Sequence, residues 1–205
     1  MRFPVRGLYA ITQTDGKTSE TIIQEVSSAL KSGASVIQYR DKSPTDAIYL
    51  AKELLSLCKH HQVPLIINDD ADLAYRIGAD GVHIGRDDGE ILAARKILGT
   101  KAIIGLSCYD DINIALKAES KGVDYVAFGR FFPSSSKPLA SPAHIETLRL
   151  AKKQINVPIV AIGGILPENG RQLITAGANV LAVIGGVFDR DPKQSAQTYL
   201  KLFNS

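Results

Sequence analysis

Four times along the chain a glycine separates a helical apolar pattern from a short apolar run: Ser32-Gly33-Ala34-Ser35, Ile77-Gly78-Ala79-Asp80, Lys121-Gly122-Val123-Asp124 and Ala176-Gly177-Ala178-Asn179. Glycine suits that place because the residue closing a helix often needs a positive φ. The four glycines recur 44 to 55 residues apart, which leaves room for two strand and helix units in each interval. A chain of four similar quarters, each starting and stopping its helices at set places, has few ways to fold.

Apolar runs at 8–12, 35–39, 64–67, 80–84, 102–106, 123–128, 158–162 and 179–184 read as strands. Between and after them, apolar positions at helical spacing predict helices over 19–32, 44–61, 70–77, 88–98, 110–121, 142–154, 167–176 and 191–203. Glycine hands over to the even-numbered strands. The later odd ones begin at Val63-Pro64 and Val157-Pro158, where proline stops a helix and opens a strand, or after Gly99-Thr100. Eight evenly spaced units without a linker predict an α/β fold, a TIM (β/α)8 barrel of eight parallel strands forming a single catalytic domain over residues 1–205. An open doubly wound sheet is the alternative.

Composition narrows the partners. A net charge of +3 and few aromatics, with no Trp, give neither a basic stripe nor a stacking platform for nucleic acid. No uncharged run reaches the length of a membrane span. The amino end lacks a charged segment followed by an apolar run and a small-residue cleavage site, so a cytoplasmic location is expected. Cys58 and Cys108 make no disulfide or metal framework; Cys58 reads as core, and Cys108 as bordering the site. Neither nucleic acid nor a membrane is an expected partner, and assembly into a homo-oligomer is compatible with the sequence.

Seven of the strands run into groups that can hold an anion, a metal or a phosphate, and parallel strands bring their C-terminal ends to one face. In the second strand, period-two geometry puts Gln38, Arg40 and Lys42 on one side and Tyr39 and Asp41 on the other. Two cations and an amide there form a clamp for a polyanion, or a solvated strand end in salt bridges. The third strand runs into Asn68-Asp69-Asp70 and the fourth into Gly85-Arg86-Asp87-Asp88. One carboxylate from each, Asp69 and Asp88, could share a hard cation, with Mg²⁺ favoured by oxygen ligands near phosphate. Asp70 and Asp88 suit helix N-caps equally well.

After the sixth strand, Ser134, Ser135, Ser136 and Lys137 can cradle a second phosphate or form an ordinary Ser-rich loop. The seventh and eighth strands end in Gly163-Gly164 and Gly185-Gly186, pairs that let backbone amides approach an anion or let strand and helix pack closely. His60 and His61 suit a helix C-terminus, His144 lies early in a helix, and His83 reads as a satisfied interior histidine. No Ser-His-acid or Cys-His constellation supports acyl chemistry.

As a set, Gln38-Tyr-Arg40-Asp-Lys42, Asn68-Asp69, Gly81-Val-His-Ile-Gly85-Arg-Asp-Asp88, Ile104-Gly-Leu-Ser107, Phe132-Pro-Ser-Ser-Ser-Lys137 and Ala161-Ile-Gly-Gly-Ile165 closely resemble the thiamine phosphate synthase family. The resemblance runs from Leu8 to Pro192. It implies a TIM-barrel transferase of thiamine biosynthesis that requires Mg²⁺. Such an enzyme joins 4-amino-2-methyl-5-hydroxymethylpyrimidine diphosphate to 4-methyl-5-(2-hydroxyethyl)thiazole phosphate and releases pyrophosphate by a dissociative route. It further implies that Gln38, Arg40, Lys42 and Asn68 contact the pyrimidine diphosphate and that Asp69 and Asp88 hold the metal. Ser107 would sit by the aminopyrimidine and Lys137 on the pyrophosphate. Ser134 and Ser136 would face the thiazole phosphate or the diphosphate, and Gly164, Ile184 and Gly185 would offer amides to the thiazole phosphate.

The chain departs from the family pattern at Arg86, where Gln is usual, at Cys108-Tyr109, where Thr-His is common, and at Gly185, where Ser is frequent. Two other functions fit the same barrel. A thiazole tautomerase-like enzyme would need an acid-base residue and no full diphosphate site, and a phosphate-ligand sensor would bind without catalysis.

Overall fold

In the computed structural model the strands close on themselves in sequence order, β1 to β8, with every neighbouring pair parallel and β8 paired back to β1. The structure describes residues 1–42, 46–85, 88–134 and 141–204, with backbone only at Asp88 and Gly89. The order is β1 (Gly7–Ile11), α1 (Ser19–Lys31), β2 (Val36–Tyr39), α2 (Ala47–His60), β3 (Leu65–Asn68), α3 (Ala71–Ile77), β4 (Gly81–Ile84) and α4 (Asp88–Leu98). It continues β5 (Ile103–Tyr109), α5 (Ile112–Ser120), β6 (Tyr125–Phe128), α6 (Ile145–Gln154), β7 (Ile159–Ile162), α7 (Pro167–Ala176), β8 (Val180–Val183), α8 (Gly185–Phe188) and α9 (Pro192–Lys201). The closed barrel rules out the open sheet.

Period-two alternation sorts each strand between two cores. Leu8 and Ala10 of β1, Leu65 and Ile67 of β3, and Val126 and Phe128 of β6 face outward into the layer beneath the helices. Tyr9 and Ile11, Ile66, and Tyr125 and Ala127 face inward and fill the barrel. The helices bury one stripe each. In α1 it is Ile22, Val26, Ala29 and Leu30, and Thr18 caps the helix by accepting from Thr21 N. Asp46 and Asp70 cap α2 and α3 in the same way, so Asp70 is the N-cap its position suggested.

All four repeat glycines have positive φ, from 71° at Gly78 to 133° at Gly177. The residue two places on closes each quarter. The amides of Ser35, Asp80, Asp124 and Asn179 donate to Leu8 O, Leu65 O, Ile104 O and Ile159 O of the preceding odd strand. In three quarters the side chain returns the bond, accepting from Leu65 N at 3.0 Å, Ile104 N at 2.8 Å and Ile159 N at 2.8 Å. In the first quarter a serine stands there instead, packed into the space left by the missing side chain of Gly7. The odd strands therefore start at fixed heights, which sets the level of their functional ends.

Two elements differ from the expected pattern. β5 runs to Tyr109 because pairing with β6 continues through a register shift between Ser107 and Tyr109, so Ser107 lies within the strand. Cys108 consequently points outward into the helix-facing core and is fully buried, which corrects its expected place beside the site. The short α8 follows β8 directly; four residues are too few to show a helical period in sequence.

Candidate active site

The C-terminal ends of the strands surround a cavity of about 580 Å³. Its floor is polar and ordered. Gln38 Nε2 donates to Tyr9 Oη at 2.6 Å, and Tyr9 Oη and Tyr125 Oη are 2.9 Å apart. Tyr125 Oη lies 2.9 Å from His83 Nδ1, and His83 Nε2 lies 2.9 Å from Ser107 Oγ. Five residues on five strands thus form one unbroken chain of hydrogen bonds. Phe3 seals it from below, its ring stacked on Tyr125 at 3.9 Å. Burial raises both phenol pKa values well above their ordinary range, so Tyr9 and Tyr125 are neutral and each can donate and accept.

At the rim, Thr12 Oγ1 accepts from Arg40 N at 2.9 Å and donates to Arg40 O at 3.0 Å, fixing the backbone from which the guanidinium projects. Gln38 and Arg40 both line the cavity, while Tyr39 and Asp41 face a separate recess beside α1 and α2, as period-two geometry requires. Lys42 is exposed and lies beyond the cavity wall.

Asn68 and Asp69 line the wall after β3. Asp69 takes φ 61°, a left-handed conformation that aspartate tolerates better than most residues. Its amide donates to His83 O at 2.8 Å and its Oδ2 accepts from Asn68 Nδ2 at 2.7 Å. These oxygen donors, one of them a carboxylate, suit a hard divalent cation that keeps other positions for water or phosphate. Among the described residues no cluster of three or more metal-ligating side chains occurs. The Asp88 side chain, Arg86, Ser136 and Lys137 lie outside the described residues; Ser134 lines the cavity.

The opposite wall is built from backbone. Gly163 and Gly164 have φ 101° and 61°, and a Cβ on either would strike the Arg130 or Phe132-Pro133 segment that crosses over them. Asn169 holds this turn, donating to Gly164 O at 3.1 Å and accepting from Leu166 N at 2.8 Å. Ile184, Gly185 and Gly186 line the next stretch, with Ile184 the N-cap of α8. A Cβ on Gly185 would meet the Asp189 carboxylate, and one on Gly186 the Tyr199 hydroxyl. Close packing and an amide-lined wall therefore coexist in these glycine pairs. Lys17 ties α8 to the first loop, donating to Glu25 and to Phe188 O at 2.9 Å.

A family model described as thiamine monophosphate synthase matches residues 8–187. The chain belongs to the thiamine monophosphate synthase family. It is accordingly an enzyme of the transferase class, within thiamine biosynthesis. A thiamine-phosphate synthase of Nitrosococcus oceani is 53% identical, the match covering 100% of this chain and 96% of that one. The thiamine-phosphate synthase of Methylococcus capsulatus is 46% identical over 99% and 92%. A solved thiamine phosphate pyrophosphorylase from Pyrococcus furiosus superposes with a TM-score of 0.86 at 33% identity, covering 97% of this chain and 95% of the other.

For this member of the family, sequence reasoning left several cavity residues unassigned. Tyr9, which lines the cavity, and Tyr125, buried beneath its floor, carried no signal beyond an aromatic at an inward strand position. Arg130, Asp189 and Arg190 also line the cavity and drew no role from sequence. His83 is the satisfied histidine that was expected, yet it also forms part of the cavity wall.

Proposed function

We propose that the enzyme joins 4-amino-2-methyl-5-hydroxymethylpyrimidine diphosphate to 4-methyl-5-(2-hydroxyethyl)thiazole phosphate, forming thiamine phosphate and pyrophosphate. The observation that carries this reading is the two-ended cavity: Arg40, Asn68 and Asp69 on one wall, the glycine backbone of β7 and β8 on the other, and Gln38 and Ser107 on the floor between them. One wall offers charge to a diphosphate. The other offers amides to a monophosphate.

In the reaction, the pyrimidine's exocyclic CH₂–O bond breaks, its electron pair leaves with pyrophosphate, and the thiazole nitrogen forms the new C–N bond. Arg40 stabilises negative charge as it grows on the leaving oxygens, more in the transition state than in the substrate. Lys42, from its exposed position beyond the cavity wall, and Lys137, from the segment that follows Ser134, add positive charge that offsets it. Asp69 and Asp88 would hold Mg²⁺, which when bound supplies further charge to the diphosphate. Gln38 and Ser107 orient the pyrimidine ring, and the amides of Gly164, Ile184 and Gly185 hold the thiazole phosphate, with Ser134 and Ser136 at either phosphate. Holding the thiazole nitrogen against the cationic CH₂ contributes proximity and keeps water out as a competing nucleophile.

The test is a mixture of the protein, both phosphorylated substrates and Mg²⁺, with thiamine phosphate and pyrophosphate measured together. Equimolar products are expected. Thiazole phosphate binding without any coupled product would sink the reading.

A further inference from the structure

The floor of the cavity carries more order than binding a ring requires. Between Gln38 and Ser107, the two groups proposed to meet the pyrimidine, stand Tyr9, Tyr125 and His83, all linked by bonds of 2.6 to 2.9 Å. Among the described residues each internal member has one hydrogen-bonded neighbour on either side within this chain, and with a neutral imidazole the bonds then all point the same way. Gln38 Nε2 donates to Tyr9. Tyr9 then donates to Tyr125, Tyr125 donates to His83 Nδ1, and the imidazole hydrogen sits on Nε2 and is donated to Ser107 Oγ.

We propose that Tyr9, Tyr125 and His83 are positioning residues whose relay presents Gln38 Oε1 as an acceptor and Ser107 Oγ–H as a donor toward the cavity, and so selects a 4-aminopyrimidine over its 4-oxo counterpart. This rests on the pyrimidine diphosphate reading above. A 4-aminopyrimidine edge has one donor, the exocyclic amine, and one acceptor, the adjacent ring nitrogen. Its 4-oxo counterpart carries the opposite pair, a carbonyl acceptor and a ring N–H donor. To bind the 4-oxo form equally well, Gln38 would have to turn its amide and every relay bond would reverse in step, including the histidine tautomer. Rejection follows because a buried site built to pair one pattern leaves polar groups unpaired with the other. Both phenols are buried, at 1% and 0% exposure, which leaves little room for water to replace a lost partner.

The variants Tyr125→Phe and Tyr9→Phe each interrupt the relay and keep the ring. In the wild type, the KM for the 4-aminopyrimidine diphosphate is compared with the inhibition constant of its 4-oxo counterpart. Either variant is expected to narrow that preference about tenfold, with the KM for thiazole phosphate within about twofold of wild type because that subsite is on the other wall. An unchanged preference in both variants, even alongside a lower rate, overturns the relay. If one variant does not fold, the other serves. Nitrogen NMR of the wild-type imidazole, assigned by loss of the signal in His83→Gln, supplies a readout independent of activity. A hydrogen on Nε2 is expected, and one on Nδ1 overturns the relay. A wild type that forms no product removes the substrate reading and its selectivity together, while a wild type that couples with unchanged variant preference removes only the relay.

Discussion

The ring of Tyr125 crosses the barrel over Gly105, and a Cβ at Gly105 would fall within that ring. The absent side chain on β5 thereby admits the aromatic that β6 sends toward Tyr9 and His83. Gly105→Ala is expected to destabilise the protein by about 1–3 kcal/mol as an overpacked core position. It should also lower kcat/KM for the pyrimidine diphosphate by displacing the Tyr125 hydroxyl. Denaturant melts and steady-state kinetics check both, and a variant with wild-type stability would show that Tyr125 can repack.

Asp124 closes the third quarter, accepting from Ile104 N at 2.8 Å and from Arg95 Nη2 at 3.0 Å. Asp124→Ala leaves a strand amide without its acceptor, at a cost of about 1–3 kcal/mol. The loss should appear as a lower thermal midpoint with little change in KM for either substrate, since the site lies at the other end of the barrel.

For Asp69→Asn, the Mg²⁺ concentration at half-maximal rate is expected to rise at least about tenfold. Asp70, not Asp69, caps α3, so helix stability should be spared. An unaltered metal dependence would remove Asp69 from the cation.

Asp110 accepts from Thr147 Oγ1 and His144 Nδ1, each at 2.6 Å, and from His144 N at 2.9 Å. Burial alone would raise its carboxyl, but these hydrogen bonds and the histidine charge outweigh it and hold the group below its ordinary range. A lowered folded-state pKa contributes stability that is complete above the unfolded value and lost as pH falls through the folded one. Acid unfolding curves of the wild type and Asp110→Asn should therefore differ near neutral pH, begin to approach one another only at about pH 4, and converge below the lowered folded value. A constant gap at all pH values would contradict the assignment.

Both cysteines are buried and both thiols are pushed up to about 12, chiefly by burial. Neither should react with a thiol reagent at pH 8 in the native protein, and both should react once unfolded in urea. Rapid native labelling of Cys108 would place it at the cavity after all.

Element order was legible because helix and strand periods differ, and because glycine and proline punctuate the handovers at Gly33, Gly78, Gly122 and Gly177. Cavity-lining residues were legible where charge or glycine followed a buried strand, as at Arg40, Asp69 and Gly163-Gly164. Tyr9 and Tyr125 were not, since an inward-facing tyrosine has the same local pattern whether its hydroxyl meets a partner or not. The quarter-closing acceptors Asp80, Asp124 and Asn179 looked like ordinary turn residues, because their bonds reach back to strands 15 to 20 residues away.

By itself, then, the sequence determined the alternation of strands and helices, their order, and which strand ends carry charge or glycine, since these follow from side-chain period and local backbone preference. Only the tertiary structure decided which of those ends share a wall and joined Gln38 to Ser107 through three residues on other strands. It also turned Cys108 away from the cavity. The physical reason is that barrel closure and strand register, with the shift between Ser107 and Tyr109, set inward and outward directions and cross-barrel distances, and neither is encoded in any single segment.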